Sequence, residues 1–443
     1  MSGAESPDEC GYRGPWGLFP VPYGKGVFGF HWFNFYNAIC FQIILGAPTV
    51  LLAKDLGANS TILGIIAAFT PLMTTLQLPA ARYLKHFSYR SFALMGWGPR
   101  AIFIASSACV PLLSFLSREV RLAILLGSLF FFNVLRGFSS AAFLPWITGL
   151  LPSASRGRYI AVDSFFVNGG SVIIMLLSAL MMSGRVEPWR YSLVLWISVV
   201  GAVISLLYLR NIPDGRQLEA LRSSSDAVTW RRMFGNLPFR NSILFSLLFS
   251  TVAGGLGVFP VEYLKVQAHF TPASIYALSA GTFLAPLFIM QRVGRLIDRT
   301  GSIRILRVSV VSFAVVLGLW FAMSAGILPP DWKLVLLLNV TGGMAMSAFN
   351  MGNLHLGMEV VPAEGRNHYF AVTTVITSFA MGIVPVLWGR ALDALGTLDL
   401  AEGPFHLRRH SIYFLGISLL SFATLLCTRI LIEPGKQRRD RVN

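Results

Sequence analysis

The stretch LPSASRGRYIAV, from Leu151 to Val162, has a counterpart 210 residues further along the chain. The counterpart, VPAEGRNHYFAV, runs from Val361 to Val372 and keeps the same pattern, P-x3-R-x2-Y-x-A-V. Each copy is a short polar segment between two long apolar runs. Five matched positions at equivalent junctions indicate that one structural unit has been duplicated within the chain.

Charged residues are scarce in this sequence. The chain of 443 residues is 54% hydrophobic and only 13% charged, with a mean hydropathy of +0.64. A soluble domain carries about 25% charged residues, so this chain has too few to cover a globular surface. The apolar runs are about 20 residues long, which is the length that a helix needs to cross a bilayer. Because lipid offers no partner to an unpaired backbone, we predict an all-α polytopic membrane protein.

We predict twelve transmembrane helices, numbered span 1 to span 12 in chain order. They cover 27–53, 60–81, 91–116, 121–149, 157–183, 188–210, 239–264, 271–292, 304–327, 333–358, 367–394 and 408–431. The longest polar segment lies between the sixth and the seventh span. The predicted parts are a tail (1–26), a six-helix bundle (27–210), a central loop (211–238), a second six-helix bundle (239–431) and a basic tail (432–443).

The basic residues favour one orientation of these spans. With the N-terminus in the cytoplasm, the cytoplasmic segments hold 24 Lys and Arg, the opposite segments hold 10, and 2 lie inside spans. This excess predicts that both termini are cytoplasmic, and it explains the net charge of +16 without a nucleic-acid partner. The two polar copies then face the same side, which makes the bundles parallel repeats. We expect a monomer in a cell membrane, with a bacterial inner membrane favoured.

The segment GRLIDRTGSIRIL, from Gly294 to Leu306, resembles the loop motif G-x-L-x-D-R-x-G-R-R-x-x-L of the major facilitator superfamily. The twelve spans and their division into six and six resemble the same family. The resemblance implies a transporter in which this loop, between spans 8 and 9, latches the cytoplasmic side while the protein is open outward. The alternative is a solvated basic loop. The gating residues that we predict are Gly294, Asp298, Arg299, Arg156 and Arg366.

The equivalent loop in the first half departs from the motif. It reads ARYLKHFSYRS, and aligning Ala81 with Gly294 places Lys85 where the motif has its aspartate. A carboxylate latch cannot form there in the usual way. Either the second half carries the latch or another pair of residues replaces it.

Three charged residues lie well inside predicted spans, away from the span ends. Arg136 is near the middle of span 4, Arg100 follows Pro99 in span 3, and Asp163 is one to two turns into span 5. A charge near the bilayer centre costs at least about 2.5–3.5 kcal/mol, so such groups line a cavity or form pairs. Two interpretations of Arg136 stay open: it binds an anionic or polar group of a substrate, or it pairs with Asp163. The position of Arg100 favours a structural role.

Span 1 contains FHWFNFYNAICFQ, in which His31, Asn34 and Asn37 form a narrow polar stripe. Carboxamides among aromatic rings suit a polar organic substrate. The alternative is hydrogen bonding between helices, which we favour for His31. The predicted substrate-binding residues are Asn34, Asn37, Arg136, Asp163 and Asn350.

The sequence contains no phosphate-binding loop of the G-x-x-x-x-G-K-[ST] type, which argues against ATP-driven transport. Four cysteines and few histidines form no ligand pattern, so we predict no cofactor, no metal and no enzyme activity. We predict a secondary active transporter for a small polar or anionic organic solute, working by alternating access, with H+ or Na+ as the candidate co-transported ion. The alternatives are an efflux pump for amphipathic compounds and a non-transporting membrane sensor or scaffold on the same fold.

Overall fold

The computed structural model describes residues 12–13, 20–21, 23–151, 156–214, 230–362, 366–396, 398–402 and 405–432. In these ranges, eleven helical segments are long and apolar enough to cross a membrane. A shorter apolar helix, Leu237–Ala253, lies where span 7 is predicted. Each predicted span therefore coincides with helix, and the prediction of an all-α protein with twelve transmembrane helices is confirmed.

The first six spans contain several interrupted helices. Span 1 is formed by Lys25–Ile44 and Ala47–Asp55, span 2 by Ser60–Thr74 and Gln77–Tyr83, span 3 by Tyr89–Trp97 and Arg100–Cys109, span 4 by Arg118–Ser139 and Phe143–Leu150, span 5 by Arg156–Met181, and span 6 by Pro188–Arg210. Short 3-10 turns at Leu84–His86, Val110–Leu112 and Ser140–Ala142 lie between or after these pieces.

The second six spans are mostly longer and continuous. Span 7 is formed by Leu237–Ala253 and Phe259–Val266, span 8 by Pro272–Thr300, span 9 by Ser302–Ser324, span 10 by Trp332–Val360, span 11 by Arg366–Leu395, and span 12 by Arg409–Cys427. A short helix, Trp230–Gly235, precedes span 7. Two antiparallel strand pairs that the sequence analysis did not predict are Tyr12–Arg13 with Pro20–Val21, and Asp399–Glu402 with Phe405–Arg408.

Several predictions about helix continuity are wrong: spans 1 to 4 and span 7 are each interrupted, and the loop expected between spans 8 and 9 is mostly helix. Span 7 was expected to be one helix over 239–264, but its helix stops at Ala253. The break contains Gly255 at φ +88°, a conformation that glycine adopts without the steric cost of a side chain. The segment 293–303 was expected to be a loop. Instead, span 8 continues to Thr300, and Gly301 at φ +86° is the single residue between spans 8 and 9.

The helix contacts of one half recur in the other half. Span 1 packs against spans 5 and 6, and span 7 correspondingly packs against spans 11 and 12. The pairs 2–4, 3–4 and 3–6 recur as 8–10, 9–10 and 9–12. Span 2 packs against span 11, and span 5 packs against span 8. Spans 2 and 8 are counterparts, as are spans 5 and 11, so these two contacts between the halves are also equivalent. This pattern confirms two six-helix repeats.

Successive spans run in opposite directions, which gives the bundle two ends. We call one end the Glu262 face; here span 1 ends at Asp55, span 2 begins at Ser60 and span 7 carries Glu262. We call the other end the linker face; here span 6 ends at Arg210.

Two neighbouring glycines of span 10 provide a matched test of this packing. A Cβ at Gly343 would lie 1.9 Å from the carbonyl oxygen of Thr282 in span 8, whereas at Gly342 its nearest contact would be Val316 at 3.8 Å. We expect Gly343→Ala to lower the free energy of unfolding by about 1–3 kcal/mol, because overpacking forces the two backbones apart. Gly342→Ala should not lower it. Thermal unfolding of the purified protein checks this, and equal midpoints for the two variants would refute the close approach of spans 8 and 10.

Candidate functional site

Arg100 is buried inside the first bundle. Its side chain has no exposed surface, and Nη2 donates a hydrogen bond to the Oδ1 of Asn37 at 2.8 Å. The guanidinium carbon lies 3.6 Å from the centre of the Trp97 ring and 5.4 Å from that of Phe41. These contacts are cation–π interactions, which hold an arginine in an aromatic environment without neutralising its charge.

Arg136 lies beside the same Phe41 ring. Its guanidinium carbon is 5.5 Å from the ring centre, and the residue is half-buried. Nη2 donates to the carbonyl oxygen of Thr70 and to Oγ1 of Thr74, both at 3.3 Å and both in span 2. Span 4 approaches span 2 closely here, since a Cβ at Gly137 would lie 1.9 Å from the Met73 carbonyl oxygen. Arg136 thus joins spans 1, 2 and 4.

Neither arginine has a carboxylate partner among the described residues. Arg100 Nε, Arg100 Nη1 and Arg136 Nε are buried nitrogens without a hydrogen-bond acceptor in the described part of the chain. The alternative that Arg136 pairs with Asp163 is therefore wrong for this structure, because the Asp163 carboxylate is engaged elsewhere. Among the residues that the structure describes, two positive charges remain without a negatively charged partner in this part of the bundle.

Asp163 binds two residues of span 1. Its Oδ1 lies 3.1 Å from His31 Nδ1 and accepts a hydrogen bond from Asn34 Nδ2 at 2.7 Å. The other ring nitrogen of His31 lies 2.7 Å from the hydroxyl of Tyr23. His31 is fully buried, whereas the Asp163 side chain keeps 23% of its surface exposed. The pair links span 1 to span 5 within the first half.

Aromatic rings surround His31. The rings of Tyr159 and Phe166 lie 4.7 and 5.5 Å from the imidazole, and Phe28 meets it edge-on at 5.1 Å. The sequence analysis found the polar stripe of span 1 but did not identify His31 as the partner of Asp163. The available signal was the stripe itself, since Asp163 is the only carboxylate well inside a predicted span of the first half.

Glu262 is the centre of a charged cluster that joins the two halves. Only 1% of this residue is exposed, and its Oε1 accepts hydrogen bonds from Lys54 Nζ and Ser60 Oγ, both at 2.8 Å. Arg409 Nη2 of span 12 lies 3.4 Å from the same oxygen. The buried His410 lies 3.9 Å from Oε2. Lys54 and Ser60 belong to the first half, and Glu262 to the second.

Asp393 of span 11 forms a second link across the halves. Its carboxylate accepts hydrogen bonds from the backbone N–H groups of Ser60 and Thr61 at 2.9 and 2.8 Å. The hydroxyl of Thr61 adds a third, at 2.6 Å. A carboxylate at the N-terminus of a helix satisfies free N–H groups and interacts favourably with the helix dipole. Asp393 therefore stabilises the start of span 2 from the opposite half.

Lys265 and Asp55 form a third link on this face. Asp55 also accepts a hydrogen bond from the Tyr191 hydroxyl at 2.6 Å. Among the described residues, the ion pairs that connect the two halves are Lys54–Glu262 and Lys265–Asp55, and both lie on the Glu262 face. The loop motif at Gly294 predicts a latch at the opposite end, and no motif predicts this cluster. A lysine and a glutamate at the ends of apolar runs were its only sequence signal.

The remaining predicted residues lie apart from these clusters. Asn350 is exposed on span 10, in the second half. Gly294 faces span 10, where a Cβ would lie 3.0 Å from the terminal methyl of Met351, and Arg299 is exposed. Three gating residues stay predictions because their side chains lie outside the described part of the structure: Asp298, Arg156 and Arg366.

Comparisons with solved structures give the same fold at low sequence identity. A D-xylose–proton symporter aligns with a TM-score of 0.69 and 13% identity, over 92% of this chain and 97% of that chain. The nucleoside transporter NupG aligns with a TM-score of 0.64 and 12% identity, over 92% of this chain and 99% of that chain. The xylose transporter XylE from E. coli, in an inward-open conformation, aligns with a TM-score of 0.66 and 14% identity, over 92% of this chain and 95% of that chain. A sequence comparison with curated proteins gives no match.

A family model extends this similarity to the sequence. The model described as Major Facilitator Superfamily matches residues 31–385, which is most of the chain and includes parts of both bundles. This family and this fold are in general those of transporters and not of enzymes. The chain is a multi-pass membrane protein with a transporter fold, and it belongs to the major facilitator superfamily.

Proposed function

We propose that this protein is a secondary active transporter that moves a small polar or anionic organic solute by alternating access. The observation that carries the proposal is the Glu262 cluster, because a buried carboxylate of one half is satisfied by side chains of the other. Such a link can form only when the two halves meet at this face. Alternating access requires contacts of this kind, which break when one face opens and form again when it closes.

Energetics supports a gating role for these links. A buried charge that loses its partner costs about 3–5 kcal/mol, so Glu262 resists separation of the halves while the face is dry. When water enters, Glu262, Lys54 and Asp393 can be hydrated, and the cost falls. The closed face is therefore held by polar contacts that can be replaced by contacts with water when the face opens.

The excess of basic residues at the linker face supports a cytoplasmic location for that face. Under this orientation the Glu262 face is the outer side, and the structure is closed to the outside. We place the protein in a cell membrane, in bacteria the inner membrane, as a monomer with both termini in the cytoplasm. Two six-helix bundles, residues 27–210 and 239–431, would move relative to each other.

We assign substrate binding to Arg136 and Asn350, orientation of the neighbouring Arg100 to Asn37, and coupling to the His31–Asp163 pair with Asn34. An imidazole in contact with a carboxylate can exchange a proton with it, which suits a coupling site. The Asp163 carboxylate is partly exposed while His31 is buried, so the pair offers a route between solvent and the inside of the bundle. The similarity to the fold of a D-xylose–proton symporter supports H+ over Na+ as the coupled ion.

The direct test is counterflow in proteoliposomes. Vesicles preloaded with carboxylates, sugars, nucleosides or amino acids should take up the matching labelled solute in a saturable manner for at least one class. A channel-like leak, or no exchange across the whole panel together with no thermal shift of the purified protein, would exclude the transport function and favour a sensor or scaffold.

Glu262→Gln should shift the Glu262 face toward opening. The variant leaves Lys54 and Arg409 facing each other without a counter-charge. Spin labels at exposed positions Ser114 and Lys333, in a cysteine-free background, report the separation of the halves on this face. We expect a larger population at long distance in Glu262→Gln than in the parent.

Glu119→Gln is the matched control, because it removes an exposed carboxylate on the same face. Its distance distribution should equal that of the parent. If Glu262→Gln also matches the parent, the cluster does not hold this face closed.

Asp163→Asn should uncouple the solute from the proton. The amide keeps a hydrogen-bond acceptor for His31 and Asn34 but cannot carry the negative charge that stabilises a protonated imidazole. We expect counterflow exchange to persist while acceleration by an inward proton gradient is lost. Asp214→Asn is the control. It removes a different carboxylate, which accepts a hydrogen bond from the backbone N–H of Arg90 at the linker face. A full gradient response in Asp163→Asn would exclude the pair as the coupling site.

A further inference from the structure

The first bundle holds a charge imbalance near its centre. Arg100 and Arg136 both approach the Phe41 ring, and an arginine stays protonated in proteins. Two carboxylates within the spans have a basic partner: Asp163 meets His31, and Glu262 meets Lys54. No described carboxylate forms an ion pair with Arg100 or Arg136, which lie well inside spans 3 and 4.

The hydrogen bonds of these arginines are incomplete as well. Arg100 uses Nη2 on Asn37, which leaves Nε and Nη1 buried and without acceptors in the described part of the chain. Arg136 Nη2 donates hydrogen bonds to Thr70 and Thr74, whereas Arg136 Nε is buried and has no acceptor in the described part of the chain. Buried donors without acceptors are costly and uncommon in native proteins. A ligand that complements these donors would be negative and rich in acceptor atoms.

The two residues differ in access. Arg100 is completely buried, whereas Arg136 is half-buried, as are Phe41, Thr70 and Thr74 around it. A ligand would reach Arg136 first and would gain the field of Arg100 behind it. Phe41, whose ring lies within 5.5 Å of both guanidinium carbons, offers an apolar surface to the body of an organic molecule.

We propose that Arg100 and Arg136 form a site for the oxyanion group of the transported solute, a carboxylate or a phosphate. Guanidinium groups match the planar geometry of such groups and form charge-assisted hydrogen bonds with them. This inference rests on the proposed function and makes it more specific: the solute is an anion, and sugars and uncharged nucleosides are excluded as substrates. Asn37 acts as a positioning residue, because it orients the Arg100 guanidinium.

The competing explanation is a purely structural role, in which both arginines only tie spans 1 to 4 together. The two explanations predict different changes in the stability of the ligand-free protein when one of the positive charges is removed. Replacing a buried unpaired charge by a neutral side chain is neutral or stabilising, whereas loss of a structural link is destabilising. We expect Arg136→Gln, without added oxyanion, to unfold at a temperature equal to or above that of the parent. A lower midpoint would favour the structural role and overturn the proposal.

Binding to the purified full-length protein provides the second readout and needs no transport. The probes are benzoate, inorganic phosphate and the uncharged isostere benzamide, at constant ionic strength. Tryptophan fluorescence reports binding, since Trp97 contacts the Arg100 guanidinium at 3.6 Å. A saturable response to benzoate or phosphate, with none to benzamide, supports the proposal, and the responding probe tells a carboxylate site from a phosphate site. No response to either anion, or an equal response to benzamide, overturns it.

Arg136→Gln should weaken the apparent affinity for the responding anion at least about tenfold, which corresponds to about 1.4 kcal/mol. Arg118→Gln, which removes an exposed positive charge at the start of span 4, should bind like the parent. Unchanged affinity in Arg136→Gln overturns the site. Failure of the two proposals is distinguishable: anion binding without counterflow excludes transport and keeps the site, whereas normal counterflow by Arg136→Gln with unchanged KM excludes the site and keeps transport.

Discussion

The burial of Glu262 is the constraint on which the relation between the two halves depends. A carboxylate that is 1% exposed must find donors inside the protein, and three of its partners, Lys54, Ser60 and Arg409, come from spans 1, 2 and 12. The first half supplies two of these three partners. The carboxylate therefore has all three of these protein donors only when the bundles are closed at this face. The start of span 2 also depends on contact between the halves, because Asp393 of span 11 accepts hydrogen bonds from its first N–H groups.

The centre of the first bundle has the opposite character. Its arginines are held by an asparagine, by threonines and by aromatic rings, all of which are neutral. A protein selected only for stability would place a carboxylate there or remove the cations. The contrast between a neutralised face and a positively charged interior suits a protein whose missing negative charge arrives with its solute. His31 and Asn37 both lie on span 1, so this helix contacts Asp163 through one residue and Arg100 through the other.

Much of the fold could be predicted from the sequence because membrane helices follow simple rules. The apolar runs located all twelve spans, and the copies at Pro152 and Pro362 revealed the duplication that the helix contacts display. The helix boundaries around Gly255 and Gly301 could not be predicted in the same way. Hydropathy records depth in the membrane, and a single glycine with positive φ changes the chain direction without changing hydropathy.

The site was less predictable for a related reason. Periodicity placed Asn34 and Asn37 on one stripe, but the stripe does not show that Asn34 binds Asp163 while Asn37 binds Arg100. Those partners are 129 and 63 residues away, and which helix faces which depends on packing. Likewise, Glu262 and Lys54 lie 208 residues apart, and only the meeting of the two halves makes them a pair.

The central claim is that two rigid bundles open one face while closing the other. The most direct measurement is a pair of distance distributions on the protein in lipid, one across the Glu262 face and one across the linker face, with and without the transported solute. The account predicts anticorrelated changes, so that a longer distance on one face accompanies a shorter distance on the other. Faces that open and close independently, or a single fixed distance on both, would contradict it.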